Sequence, residues 1–317
     1  MSRFRNILLS VTACATVATA GMFGAGTNQS VSAVYAGTNL ASAVYCGSNL
    51  VWSAVPALYA TGGTVTNYTV DGINYRAHIF TTGGLFAVIG SGSVDALIVG
   101  GGGAGGYKIG GGGGAGGLVQ TQILVNSESY TITVGTGGVV SATSDVTGGN
   151  GGNSSVFGIV AIGGGAGGTA ASNGANGGSG GGVGRVFTNG YGTVGQGNDG
   201  GIRNGVVVGA YGGSGGGGAG GAGSGGVPAG KGTAGGAGIT VSIGGSAVAY
   251  AGGGGGGAYP NYAGGAAYAG GGRGASQVLT GLSGTPNTGG GGGGGCISKS
   301  ETGNGGSGIV IIRYRTN

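Results

Sequence analysis

Two hydrophobic patterns share this chain, and they change over near residue 100. From 64 to 99, short runs alternate apolar with polar residues: TVTNYTV, INYRAHIFTT, LFAVIG and VDALIV, with Asp71-Gly72 and Gly83-Gly84 between them. Period-two alternation broken by Asp-Gly and Gly-Gly predicts β-strands joined by tight turns. Beyond 100, glycine runs recur near 100–117, 147–152, 163–168, 174–184, 212–226, 252–257, 264–274 and 289–295. Strand-like segments separate them: LVQTQILVN, SYTITVG, SSVFGIVAIG, GITVSIGG and finally SGIVIIRYRT. Ahead of both regions lies an internal repeat, VSAVYAGTNL followed at once by ASAVYCGSNL and then VWSAVPALY. Its shared core, SAVY-x-G-x-NL, reads as strand, turn, strand, with Gly37 and Gly47 supplying the positive φ of the turns. Trp52, the one Trp, reads as an anchor for a small core.

Composition decides what the glycine runs can be. Gly accounts for 96 of 317 residues, with four Pro and no sustained G-X-Y register, so a collagen triple helix is excluded. Charged residues make up 5% and mean hydropathy is positive, the opposite of a disordered, solvated chain. The runs carry Ala more than Ser and are bounded by apolar strands, which argues against flexible linkers. Extended three-per-turn helices of polyglycine fit better, because bare backbones approach closely and hydrogen-bond from helix to helix. The expected fold is mostly β and irregular: a small β framework holding a bundle of polyglycine-II-type helices. Little or no α-helix is expected except in the N-terminal apolar segment. The expected divisions are 1–30, an apolar arm; 31–63, the repeat module; 64–99, a β-region; and 100–317, the glycine domain closed by a strand at 308–315.

The opening residues fit two readings. Arg3 and Arg5 precede an uncharged stretch from Asn6 to Gly26, as in a secretory signal peptide or anchor, and VTAC ending at Cys14 resembles a short lipoprotein box. The same stretch suits a retained assembly arm. Cys14, Cys46 and Cys296 form neither a disulfide framework nor a metal site and read as thiols, unless the fold brings Cys46 to Cys296. The formal charge of +5 rests on scattered Lys and Arg without a dense stripe, so nucleic acid is not an expected partner.

Little in the sequence suggests catalysis. Gly100, Gly102 and Gly105 satisfy G-x-G-x-x-G after a strand, but YKIGGGGGAGG follows where a dinucleotide fold needs a helix. VPAGKGT around Lys231 resembles a phosphate loop yet has Gly232 where Ser or Thr must ligate magnesium. His78 is the one His and reads as structural, and the acids Asp71, Asp95, Glu128, Asp145, Asp199 and Glu301 are far apart. No enzyme, cofactor or metal is expected. The tyrosines say more, because in the glycine-rich half they sit at interruptions such as YKI, VFTNGY and AYPNYAGGAAY. If the runs are rods, these segments are turns at rod ends, suited to recognition or to capping the lattice against water. Tyr107, Tyr191, Tyr259, Asn261, Tyr262, Tyr268 and Arg273 are the candidate binding residues.

The ordered series INYRAHIFTTGG, VDALIVGGGGAGG, YTITVGTGG, NGGNSSVFG, NTGGGGGGG and GGSGIVIIRY resembles the glycine-rich domain of bacteriophage tail proteins, over roughly residues 30–317. More distantly the chain is similar to the distal adhesins of T-even-type long tail fibres, in which glycine helices form a sandwich and loops between them contact the host. The resemblance implies a virion-borne tail fibre or tail-tip adhesin that binds a host envelope glycan or outer-membrane protein. It also implies partnership with other tail proteins through the N-terminal region, and tail symmetry favours a homotrimer. It carries no catalytic residues. The signal-like N-terminus departs from the pattern and keeps open a secreted or cell-surface glycine-rich protein of matrix, cell-wall or ice-binding type.

Overall fold

The computed structural model describes residues 35–36, 39–40, 43–46, 49–53, 58–141, 147–185, 188–202, 211–225, 230–297 and 301–316. The chain divides into two compact units, Met1–Leu58 and Tyr59–Asn317. In the first, each copy of the repeat forms an antiparallel hairpin: β1 (Tyr35–Ala36) with β2 (Asn39–Leu40), and β3 (Ala43–Cys46) with β4 (Asn49–Ser53). The apolar segment 1–30, the turn glycines 37 and 47, the packing of Trp52 and the Cys46 pairing lie outside the described residues. No α-helix occurs among the described residues, and no sheet closes into a barrel.

The second unit is built on two antiparallel sheets. Its strands are β5 (Tyr59–Thr61), β6 (Thr64–Val70), β7 (Ile73–Phe80), β8 (Gly84–Ile89), β9 (Gly92–Val99), β10 (Leu118–Val125), β11 (Ser129–Ile132) and β16 (Ile309–Thr316). Five form a sheet in the order β10-β9-β16-β7-β6, and three form β11-β8-β5. Two short hairpin arms complete the set: β12 (Ser154–Val156) with β13 (Ile159–Ala161), and β14 (Ile239–Val241) with β15 (Val248–Tyr250). Strands β9 and β16 run down the middle and are covered on both faces, which is why they read as near-continuous apolar runs. On one face Leu97, Val99 and Ile311 pack with Val241, Ile243 and Tyr250 of the β14–β15 hairpin and with Ala115 and Ala251 of the glycine region. On the other, His78 and Phe80 meet Phe86 of β8, and the Ala60 N–H donates to the Tyr314 hydroxyl at 3.0 Å. A polar row crosses the sheet: Gln122 donates to Asp95, Arg313 pairs with Asp95 at 2.9 Å and lies over Tyr75, and Tyr75 stacks on Tyr68.

His78 is fully buried between the sheets, its Nδ1 hydrogen-bonded to the Gly62 carbonyl at 2.7 Å and its ring stacked on Tyr314. Burial pushes its pKa below the ordinary value; the Gly62 bond opposes this and the Arg76 charge adds to it. The folded protein therefore holds a neutral imidazole, while the unfolded chain takes up a proton as pH falls through about 6.5. Stability is complete above that pH and declines below it, by at most about 1.4 kcal/mol per pH unit. Thermal melts of wild type and His78→Phe between pH 7 and 5.5 should diverge, with only the wild type losing midpoint. Parallel curves would remove His78 as the cause.

From the sheet the chain runs out into glycine rods, and the hydrogen bonds define their arrangement. In rod 110–117 the N–H groups of Gly110, Gly113 and Gly116 donate to Gly295, Gly292 and Gly289. Those of Gly111, Gly114 and Gly117 donate to Gly168, Gly165 and Ile162, and those of Gly112 and Ala115 to Ser214 and Gly217. Every third residue addresses the same neighbour, the signature of a three-per-turn helix with no internal hydrogen bonds. The carbonyls of the same rod accept from rods 100–106, 178–184 and 251–258, as in Gly103 to Gly114, Ser179 to Ala115 and Gly254 to Gly113. The rods around 110–117 also bond to one another in a closed ring, 100–106, 162–168, 178–184, 211–218, 251–258 and 289–295. Hexagonal packing results, and at its glycine positions it leaves no room for a side chain. A Cβ on Gly113 would stand 2.1 Å from the Gly103 carbonyl oxygen.

At the lattice edge, asparagine amides replace missing backbone. Asn150 and Asn153 accept from the N–H groups of Ala166 and Gly163, and Asn173 and Asn176 from those of Thr188 and Tyr191. The three-residue spacing within each pair is the repeat of the rod itself.

Candidate binding surface at the free end of the bundle

Every rod has a sheet end and a free end, and the register fixes which is which. Gly100 leaves β9 and Gly117 enters β10, so the ends at Gly106 and Gly110 point away from the sheet. Bonds from Gly111 to Gly168, from Gly168 to Gly182, from Gly213 to Gly257 and from Gly110 to Gly295 extend that free end across the ring.

The tyrosine-bearing turns divide between the two ends. Tyr107 lies in the 107–109 turn at the free end, where Lys108 and the buried Ile109 have φ of 41° and 50°. A β-branched residue in the left-handed region is strained, so this turn is held by its surroundings. Tyr259, Asn261 and Tyr262 form a second free-end turn. Tyr259 donates its N–H to Gly230, Tyr262 to Tyr259, and Asn261 to the side-chain oxygen of Gln277. Gly230, with φ of 81°, lies against the Tyr262 ring so closely that a Cβ there would be 2.6 Å from Cδ2. Tyr191 and Tyr268 are the most exposed of these tyrosines, at 62% and 56%, but both stand toward the sheet end. The Tyr191 carbonyl takes the Gly177 N–H beside the 193–196 turn, and Tyr268 lies beside Gly252 at the foot of its rod. Arg273 is midway along a rod, its carbonyl accepting from Leu282. The candidates therefore do not share one surface: Tyr107, Tyr259, Asn261 and Tyr262 share the free end, and Tyr191, Tyr268 and Arg273 do not.

Residues passed over in the sequence join the free-end group. The Arg185 guanidinium lies 4.7 Å over the Tyr211 ring, and the Lys108 ammonium 5.6 Å from the Tyr107 centroid. Lys231 is exposed, and its carbonyl abuts Gly212, next to Tyr211. Their signal in the sequence is positional, since each flanks a glycine run on the side away from a strand.

Another surface feature lies at the sheet end. A cleft of about 400 Å³ is lined by Ile123, Leu124, Tyr130 and Phe157, with Glu128 as its carboxylate. Among the described residues no group of three His, Cys, Asp or Glu is placed to hold a metal. Gly100, Gly102 and Gly105 open a rod and donate to Gly117, Gly306 and Gly303, so their N–H groups are already occupied by protein carbonyls.

A family profile described as a glycine-rich domain matches residues 80–315, which takes in the sheet strands from the end of β7 to β16 and all the rods. The chain belongs to this glycine-rich domain family. No curated protein matches it. The match thus takes in the lattice together with part of the sheet, while β5, β6 and most of β7 precede it.

Proposed function

We propose that this glycine-rich protein is a structural attachment protein of a phage tail, a tail fibre or tail-tip adhesin that binds the host surface through the turns at the free end of its bundle. The observation that supports the reading is the gathering of Tyr107, Tyr259, Asn261 and Tyr262 with Lys108, Arg185, Tyr211 and Lys231 on the end remote from the sheet. Rigid rods remove the entropy cost that mobile loops carry on binding, and half-buried tyrosines offer large contact area with few rotamers. The partner is a host envelope glycan or outer-membrane protein, and the N-terminal region joins other tail proteins, with a homotrimer matching tail symmetry. The second reading, a secreted or cell-surface structural protein, draws on Arg3 and Arg5 ahead of the apolar stretch.

Tyr259→Ser with Tyr262→Ser separates recognition from capping. Binding to bacterial envelope vesicles should weaken about thirtyfold, the effect of losing about 2 kcal/mol of contact, while the melting midpoint holds. A collapsed midpoint with unchanged binding per folded molecule makes the pair a cap. An antibody to the 259–262 turn should decorate tails of purified particles; labelling of bacterial envelopes alone favours the second reading.

A further inference from the structure

The free end has a chemical polarity that narrows what it can bind. Around the ring of rods, 178–184 ends at Arg185, 211–218 begins at Tyr211, and 251–258 ends at Tyr259. Rod 231–238 packs outside the last two, its Thr233 and Gly236 N–H groups donating to Gly213 and Gly216, and it presents Lys231 at the same end. One arc therefore carries Arg185, Tyr211, Lys231, Tyr259 and Tyr262, cations alternating with aromatic rings. Arg185 and Lys231 are exposed and the rings half-buried, and Lys108 stands at the centre of the ring beside Tyr107. Among the described residues no acid lies on this arc. Asp95 pairs with Arg313, Asp199 accepts from the Gly192 N–H, Asp71 and Glu128 are in sheet turns, and Glu301, though at the free end, lies off the arc, its carbonyl accepting from Gly281 beside rod 289–295.

We infer that this arc takes an acidic polysaccharide, its sugar rings lying on the tyrosines and its carboxylates, sulfates or phosphates meeting Arg185 and Lys231. Flat half-buried rings bind the apolar faces of sugars, and fixed cations between them select chains that carry acid at matching intervals. Neutral glycans would leave Arg185 and Lys231 unmatched but solvated, without benefit from either. The inference rests on the free end being the attachment surface and specifies the ligand class for it.

The test uses the full chain with immobilised polygalacturonate and with neutral dextran. Polygalacturonate should be bound and dextran not, with affinity falling as salt rises. The pair Arg185→Gln with Lys231→Gln should weaken binding about tenfold with an unchanged melting midpoint, since neither side chain serves the lattice. Arg315→Gln, an exposed cation on the sheet, should leave it unaltered. Equal retention of both polymers, or the same loss from Arg315→Gln, overturns the inference. If Tyr259→Ser with Tyr262→Ser abolishes binding to envelope vesicles while the cation pair does not, the attachment surface stands and the acidic ligand falls. If neither alters vesicle binding, the attachment reading falls first.

Discussion

Replacing Gly113 with Ala is expected to cost more than about 3 kcal/mol and to leave little folded protein, whereas Gly72→Ala should cost about 1 kcal/mol. Gly72 is at the tip of the β6–β7 hairpin with φ of 76° and nothing within 4 Å of an added Cβ, so its penalty is conformational alone. Gly113 lies in the innermost rod, where the new methyl would stand 2.1 Å from the Gly103 oxygen and 2.8 Å from that of Ala104. Both obstacles are backbone carbonyls held by their own hydrogen bonds, so relief requires two rods to separate. That loses bonds along their length, as a side chain at a glycine position disrupts collagen. Urea denaturation of the two variants is the measurement. Equal losses would mean the rods are not in close contact.

Phe86→Ala should destabilise the protein by about 3–5 kcal/mol with little change in denaturant slope. Phe86 is fully buried and touches His78, Phe80 and Phe157 in edge-on contacts with centroids 5.2, 6.5 and 6.2 Å away. It is the main apolar anchor of the three-stranded sheet on the larger one, and the lattice constrains how far either can collapse into the gap. Phe86→Leu should recover most of the loss. A cost below about 1 kcal/mol for Ala would place the docking energy of the sheets elsewhere.

These variants mark what could be read in the sequence and what could not. The strands of 64–99 were legible because short runs of strand-forming residues are set off by turn dipeptides; INYRAHIF and VDALIV became β7 and β9, and the closing strand expected at 308–315 spans Ile309–Thr316. The rods were legible from the absence of side chains. Which rod neighbours which was not, because identical glycines carry no pattern that sets a register. Asn150 with Asn153 and Asn173 with Asn176 were a readable exception, since N-x-x-N matches three residues per turn. The candidate site was half legible. Taking every tyrosine-bearing turn as equivalent ignored that a chain going out along one rod returns along the next. Tyr259 and Tyr268 stand at opposite ends of rod 263–269 for that reason, and Tyr191 is near the foot of its rod. Arg185 and Lys231 were overlooked because scattered cations look unrelated until the rods bring them into one arc.

Strand β16 occupies the middle of its sheet, between β9 and β7, and rods 289–295 and 301–308 flank the first rod, 100–106. Synthesis and assembly therefore run in different orders. While the chain is being made, β7 and β9 lack their shared partner, and the first rod lacks neighbours on one side until residue 289 and beyond have emerged. Contacts this distant in sequence make folding slow, and VDALIV with an open edge is a segment prone to pair with other chains. The late-arriving segment works as the keystone of the domain.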